Sequence, residues 1–212
     1  MNLDRLLDYE KTFWGKGVEV FGIDEAGVGC GAGSMWVAGV SFEPMEKIPL
    51  NLLGIRDSKK MSESNRFRLE PLIKEKAKFW FCQEVTVDKI NQSDNTYWLR
   101  FRTAEEELSE KFASRILGNV VVYDGNKSLR LDDAGCDSRC LVKGDNISFS
   151  IAAASILAKS AKDREMILKA IDYPEYGFEQ NKGYLTKLHR NALVKSGACK
   201  EHRIRFCKKY IK

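Results

Sequence analysis

Four acidic residues lie where an apolar segment ends or a helix is expected to begin. They are Asp24, Glu25, Asp124 and Asp145. Each stands beside a glycine or a helix start. If the fold gathers these carboxylates at one place, they repel one another unless a cation neutralises them. Oxygen ligands without histidine or cysteine suit hard divalent ions. The pattern therefore predicts a site for Mg²⁺ or Mn²⁺.

The distribution of charge indicates what such a site would act on. From residue 181 onward the sequence has ten Lys/Arg and one acid, a net charge of +9, whereas the rest carries −4. A basic segment beside acids favours a polyanionic partner, although a solvated basic helix is the alternative. Two ions roughly 3.5–4 Å apart can stabilise the attacking and leaving oxygens of a phosphoryl displacement. Metal-assisted phosphodiester hydrolysis is the predicted reaction class.

Local alternatives exist for the acids. Asp24 and Glu25 precede a glycine-rich stretch, so they could be solvated acids where a strand enters a turn. Neighbouring strand residues point to opposite faces, so both reach one centre only if the strand ends or bends there. Asp145 could be an ordinary acid before a helix, where the helix dipole favours a negative charge.

The elements that must position these acids follow from hydrophobic spacing and caps. The predicted strands are 18–24, 34–42, 77–87, 119–123 and 140–142, the first two forming a hairpin. A helix is predicted to begin at residue 63, and residues 87–91 are predicted to form a single helical turn. Further helices are predicted at 95–116, 147–170, 186–195 and 200–208. Ser62 is the expected N-cap of the helix from 63, and Pro71 should kink it or start a second segment. Residues 127–140 and 173–178 are predicted loops.

Composition limits the class of protein. The chain has 212 residues, 43% of them hydrophobic, and no run that approaches the roughly 20 apolar residues of a membrane span. We expect a cytoplasmic monomer with one structural unit, a catalytic domain at 1–180 with a basic helical C-terminal extension at 181–212 packed on it. The six cysteines should be reduced, since their spacing is not that of a disulfide framework. Cys136 and Cys140 lack a second pair that would complete a zinc site.

Five ordered blocks over about residues 18–206 resemble type 2 ribonuclease H, the ribonuclease HII family. The first three are Gly22-Ile23-Asp24-Glu25-Ala26-Gly27, Asp57-Ser58-Lys59-Lys60 with Ser62, and Asp124-Gly125-Asn126. The fourth is Gly144-Asp145 with 150–159 and Asp163-Arg164. The fifth is Tyr176-Gly177-Phe178, Lys182-Gly183-Tyr184, Thr186, His189, His202-Arg203 and Phe206.

The resemblance implies an α/β, ribonuclease-H-like fold with a mixed five-stranded sheet, flanking helices and a helical C-terminal extension. It also implies endonucleolytic cleavage of RNA in RNA–DNA hybrids, including RNA–DNA junctions or ribonucleotides embedded in duplex DNA. The expected products carry 5′-phosphate and 3′-hydroxyl ends, and no protein partner is inferred. The implied catalytic residues and ligands of two Mg²⁺ or Mn²⁺ ions are Asp24, Glu25, Asp124 and Asp145.

The resemblance further implies how the substrate is read. Gly27, Val28, Gly29 and Tyr184 would read the 2′-hydroxyl, which distinguishes RNA from DNA. Ser58 and Lys59 are candidate phosphate contacts, with a solvated loop lysine as the alternative for Lys59.

Val28 stands where the family normally has arginine, which raises the alternative of a catalytically weak or silent hybrid-binding module on the same fold. Four mutually repelling carboxylates have no purpose in a silent binder, which favours the enzyme. A DNA nuclease or resolvase on a related fold would share the acids. It would not account for the Lys182-Gly183-Tyr184 block or for residues 150–159.

Overall fold

The computed structural model describes residues 3–55, 61–116, 118–127 and 136–211, and a mixed five-stranded sheet lies at its centre. The strands are β1 (Val20–Ala26), β2 (Met35–Ser41), β3 (Phe79–Val85), β4 (Val120–Asp124) and β5 (Asp137–Leu141). Their order is β3-β2-β1-β4-β5. β1, β2 and β3 pair antiparallel, whereas β4 is parallel to both β1 and β5. The predicted mixed sheet and the predicted hairpin are confirmed.

Helices cover both faces of this sheet. They are α1 (Asp8–Trp14), α2 (Glu63–Lys76), α3 (Val87–Gln92), α4 (Thr96–Ile116), α5 (Phe149–Asp172), α6 (Phe178–Asn181), α7 (Lys187–Ser196) and α8 (Ile204–Cys207). Short 3₁₀ segments lie at Leu3–Leu7, Leu50–Leu52, Gly144–Asn146 and Pro174–Tyr176. The ribonuclease-H-like arrangement of flanking helices, with helices in the C-terminal region, is confirmed.

The helix α5 packs directly on β1 and β2. A Cβ atom on Gly22 of β1 would stand 2.3 Å from the backbone of Ser150 and Ile151, so only glycine allows this approach. Ala152, Ala153 and Ala154 are fully buried in the same interface. The close approach sets the start of α5 against the middle of β1, so that Ser155 and Lys159, further along the helix, line the same cleft as Asp24.

The helix α4 covers the opposite face of the sheet. Its Phe101, Ala104 and Leu108 pack in one apolar cluster with Phe21 and Ile23 of β1. The apolar side of this helix therefore contributes mainly to the core, although Trp98 at its N-terminal end stays 40% exposed.

The observed elements differ from the predicted ones in several places. β1 runs on to Ala26, two residues past its predicted end. α2 forms as one helix through Pro71 and does not start a second segment there. Because Pro71 is exposed, water can bind the Phe67 carbonyl that loses its donor.

The remaining differences concern polar segments. β5 begins at Asp137, inside the predicted loop, because this edge strand carries polar side chains that give no apolar signal. The predicted loop at 173–178 contains the 3₁₀ turn and leads into α6, and the last helix is limited to Ile204–Cys207.

The predicted N-cap of α2 is confirmed. The Asn65 N–H donates to Ser62 Oγ at 3.3 Å, as expected for the N-cap of α2. All six cysteines are free. Within the described ranges, no helix is long and apolar enough to cross a membrane. The domain boundary at residue 180 stays a prediction.

Candidate active site

Two of the predicted acids leave the sheet at the same edge. The parallel register pairs Ile23 with Tyr123, so Asp24 and Asp124 follow at equivalent positions of neighbouring strands. Adjacent strands lie about 4.8 Å apart, and residues in register on parallel strands point to the same face. Asp24 is only 7% exposed. These two carboxylates therefore stand side by side on the face that α5 covers.

The third acid is brought to the same place by a hydrogen bond. The Gly144 N–H donates to Asp124 Oδ1 at 2.7 Å, which ties the 3₁₀ turn Gly144–Asn146 to the end of β4. A Cβ on Gly144 would stand 2.6 Å from Ile151 Cδ1, so a glycine is needed there. Asp145 comes next in the chain, is buried, and accepts a hydrogen bond from Asn146 Nδ2 at 2.7 Å.

Glu25 leaves β1 on the other face, the one covered by α4, because successive strand residues alternate. Arg100 of α4 donates from Nη1 to Glu25 Oε1 at 2.6 Å, and both side chains are largely buried. The Arg100 guanidinium also lies over the Tyr97 ring, 4.1 Å from its centroid. Asp24 and Asp124 thus lie on one face of the sheet and Glu25 on the other, while the turn that carries Asp145 is tied to Asp124.

The chemistry of the donors fits a hard divalent cation, because all four acids offer carboxylate oxygens. Within the part of the chain that the structure describes, no three His, Cys, Asp or Glu side chains are grouped closely enough to hold an ion. Mg²⁺ commonly uses one or two carboxylates and takes its remaining ligands from substrate phosphates and water. The acids therefore suit ions that the substrate helps to bind.

A cleft of about 500 Å³ opens beside this edge. The acids Asp24 and Glu25 form one side of it. The other lining residues are Ala26, Gly27, Val28, Gly29, Met61, Arg66, Ser155, Lys159 and Tyr184. The cleft thus joins two predicted acids to all four residues predicted to read the 2′-hydroxyl, whereas Asp124 and Asp145 do not line it.

Two cations, Arg66 and Lys159, line the same cleft as the acids. Lys159 donates from Nζ to Asp163 Oδ1 at 2.7 Å, and Arg66 donates from Nη2 to Asp163 Oδ2 at 2.7 Å. Asp163 is fully buried and holds both cations in place. An anion in the cleft would therefore meet both carboxylates and these two cations in the lining.

Tyr184 stands on the rim of the cleft, 45% exposed. Its backbone carbonyl accepts a hydrogen bond from His189 Nδ1 at 2.9 Å. Burial of the hydroxyl, with Cys30 nearby, raises the pKa of Tyr184 to about 12, so it stays protonated at neutral pH. The ring offers an apolar face for stacking and a hydroxyl that donates.

Sequence reasoning covered much of this site, with specific gaps. Ser58 and Lys59 lie outside the described residues. The roles of Arg66 and Arg100 were missed, because each cation comes from a different helix and meets its acid across 97 or 75 residues. Lys159 and Asp163 fall within the fourth family-like block, and their i, i+4 spacing on a helix is the signal that could have predicted their ion pair.

The sequence profile of the ribonuclease HII family matches residues 21–210. Ribonuclease HII from Helicobacter pylori (strain P12) is 40% identical over 188 residues, which cover 88% of this chain and 90% of the relative. A chain in the structure of the PCNA:RNase HII complex from Archaeoglobus fulgidus has a TM-score of 0.67 at 25% identity, covering 89% of this chain and 94% of its own.

Bst-RNase HIII, solved in complex with Mn²⁺, has a TM-score of 0.64 at 20% identity, covering 91% of this chain and 69% of its own, and shares the fold. The profile match spans most of the sequence, and the Helicobacter relative aligns over nearly its whole length. This chain therefore belongs to the ribonuclease HII family and is a ribonuclease H, a metal-dependent phosphodiester endonuclease.

Proposed function

We propose that this protein hydrolyses the RNA strand of RNA–DNA hybrids, including RNA–DNA junctions and single ribonucleotides in duplex DNA. Cleavage would leave 5′-phosphate and 3′-hydroxyl ends. The observation that carries the proposal is the composition of the cleft. Carboxylates, two cations and a wall of Gly27, Val28, Gly29 and Tyr184 meet in one space large enough for part of a nucleic-acid strand.

The acids Asp24, Glu25, Asp124 and Asp145 would hold two divalent ions, Mg²⁺ or Mn²⁺. When bound, such ions activate a water molecule and stabilise the charge that develops on phosphate oxygens. The shared edge of β1 and β4 and the bond from Gly144 to Asp124 support this assignment. The fold is shared with Bst-RNase HIII, a protein solved with Mn²⁺.

The protein's own cations would bind the phosphates next to the cleaved bond. Arg66 and Lys159 are held by Asp163, so they lose little freedom when an anion enters. Charge-assisted hydrogen bonds to phosphate are about twice as strong as neutral ones. These two side chains would orient the strand and hold its backbone against the acids.

The wall formed by Gly27, Val28, Gly29 and Tyr184 would distinguish RNA from DNA. Backbone N–H groups of the turn at 27–29 can donate to a 2′-hydroxyl, and Tyr184 can stack on the adjoining sugar or base.

We further propose that the protein acts as a cytoplasmic monomer. Light scattering of the purified protein tests the monomer, and the location of a tagged copy in cell fractions tests the compartment.

One assay tests the reaction. The protein is incubated with a labelled RNA–DNA hybrid, a DNA duplex with one ribonucleotide and a plain DNA duplex, each with Mg²⁺, Mn²⁺ or chelator. We expect metal-dependent cleavage of the first two and none of the third. Absence of metal-dependent cleavage of both RNA-containing substrates would contradict the proposal, and cleavage of plain DNA would favour a DNA nuclease.

A further inference from the structure

Arg203 is a fully buried arginine whose side chain bonds to the turn that lines the cleft. Its Nη1 donates to the Gly27 carbonyl at 2.7 Å and to the Val28 carbonyl at 3.0 Å, and its Nε donates to the Gly33 carbonyl at 2.8 Å. Among the residues that the structure describes, Nη2 has no hydrogen-bond partner. All of the side-chain hydrogen bonds of Arg203 within the described ranges therefore go to backbone carbonyls of one loop.

These bonds fix the direction of two peptide planes. No peptide bond of the described chain is cis, and in a trans peptide the C=O and the following N–H point in opposite directions. Because the Gly27 and Val28 carbonyls face Arg203, the N–H groups of Val28 and Gly29 face away from it. The Cys30 N–H donates to the Gly27 carbonyl at 3.2 Å and closes the turn.

The two outward N–H groups have no hydrogen-bond partner in the described part of the chain. The neighbouring N–H groups differ, since those of Gly31 and Ala32 donate to the Gly183 carbonyl at 2.9 and 3.2 Å. Val28 and Gly29 both line the cleft. Two adjacent donors are therefore available at the wall where an RNA sugar would lie.

We propose that Arg203 is the positioning residue of this wall, which turns the Val28 and Gly29 N–H groups toward an acceptor oxygen of the ribose. The inference rests on the proposed function and deepens it, because it assigns the selection of RNA over DNA to a residue that never touches the substrate. Lysine would keep the charge but lacks the planar fork that serves three carbonyls at once. The Arg203→Lys variant therefore tests geometry separately from charge.

The experiment measures binding in chelator, where no cleavage occurs. Fluorescence anisotropy gives Kd for an RNA–DNA hybrid and for a DNA duplex of the same sequence. We expect the wild type to bind the hybrid more tightly than the DNA duplex. Arg203→Lys should bind the hybrid about tenfold more weakly, because the loss of one or two hydrogen bonds has an effect of that size. Its affinity for DNA should be unchanged. Arg139→Lys is the matched control, because Arg139 pairs with exposed Asp137 on β5, and it should change neither affinity.

The outcomes separate this inference from the function on which it rests. If the wild type prefers the hybrid and Arg203→Lys keeps the same preference, only the positioning role is overturned. The same holds if Arg203→Lys loses equal affinity for both duplexes. Equal binding of both duplexes by the wild type would overturn the proposed substrate selection as well.

A second measurement does not depend on the variant folding. In ¹⁵N-labelled wild-type protein, the chemical shifts of the Val28 and Gly29 amides should change when the hybrid is added and remain unchanged when the DNA duplex is added. The Gly31 and Ala32 amides, already bonded to Gly183, should respond much less. Equal shifts with both duplexes would overturn the inference.

Discussion

Arg100 and Glu25 form an ion pair across the edge of the sheet, with 2.6 Å between Nη1 and Oε1 and side-chain exposures of 9% and 18%. The second Arg100 amino group donates to the Tyr97 hydroxyl at 2.6 Å, so the guanidinium is fixed by two partners. A positive charge therefore already neutralises one acid of the candidate metal site.

Replacing this cation should make the protein depend more on a metal ion. Arg100→Met removes the ion pair between Arg100 and Glu25 while Asp24 stays adjacent, so we expect metal-free stability to fall by roughly 1–3 kcal/mol. Added Mn²⁺ should then stabilise the variant more than the wild type. Thermal unfolding with chelator and with Mn²⁺ measures both effects.

Arg139→Met is the control for that comparison, because its pair with Asp137 is half exposed and lies on the edge strand β5. Its stability should change little. If Mn²⁺ stabilised Arg100→Met no more than it stabilises the wild type, Glu25 would not belong to the metal site.

Gly29 leaves an open space at the wall of the cleft. A Cβ there would meet no atom of the described residues within 4 Å, and its backbone conformation is accessible to other residues. Gly29→Ala should keep its stability within about 0.5 kcal/mol, as surface substitutions do. The added methyl group should obstruct the substrate and raise KM for the hybrid several-fold.

Gly15→Ala provides the comparison, since Gly15 also has an ordinary conformation and does not line the cleft. Among the described residues, a Cβ there would meet one atom, the Lys11 carbonyl oxygen at 3.5 Å. Its KM should match that of the wild type. An unchanged KM in Gly29→Ala would show that the substrate does not approach this wall.

The only two histidines of the chain are joined through their Nε2 atoms at 3.0 Å. His189 Nδ1 faces the Tyr184 carbonyl, so it must carry a proton, and Nε2 of His189 then accepts. His202 must donate from Nε2, and its Nδ1 accepts from the Cys199 N–H at 3.0 Å. Nitrogen-detected NMR should find these two different neutral tautomers at pH 7, and the same tautomer in both rings would contradict the assignment.

This pair makes stability depend on pH. Burial, with His189 adjacent, lowers the pKa of His202 to about 4, and burial lowers the pKa of His189 as well. In the unfolded chain both imidazoles have a pKa near 6.5. The contribution of the pair to the free energy of unfolding is therefore fully present above that pH and is lost as the pH falls toward 4. For His202 alone we expect a loss of about 1 kcal/mol by pH 5.5.

Urea unfolding between pH 7 and 5.5 measures this loss, and His202→Gln should reduce the slope of the unfolding free energy against pH. A variant with the same slope as the wild type would place the titration elsewhere in the chain.

Val28 is half-buried and, like Tyr97, packs against the apolar cluster that contains Phe101. An arginine at this position could extend into the cleft and add a cation beside the turn. We expect Val28→Arg to improve kcat/KM for a single embedded ribonucleotide more than for a long hybrid. Equal effects on the two substrates would argue against a junction-sensing role for this position.

Much of the fold follows from local patterns in the sequence. The apolar runs before Asp24 and Asp124 predicted two strands whose ends carry acids, and parallel pairing is what brings those ends together. The cap at Ser62 and the 3.6-residue spacing of α4 are equally local signals. Such features depend on a few neighbouring residues, so one sequence is enough to find them.

Other features depend on contacts that no local pattern encodes. β5 has an exposed, polar sequence and is a strand only because β4 offers it a parallel edge. The separation of Glu25 from the other acids follows from β1 continuing to Ala26. Arg203 lies 176 residues from Gly27, and only the folded chain shows that a buried cation shapes the turn.

The most direct test of the central claim is the cleavage rate of Asp124→Asn on a labelled RNA–DNA hybrid with Mg²⁺. The asparagine Oδ1 can still accept from the Gly144 N–H, so the fold should persist. Loss of one metal-binding carboxylate should lower kcat about 1,000-fold or more while hybrid binding stays close to that of the wild type. Cleavage at the wild-type rate would contradict a metal centre at the shared edge of β1 and β4.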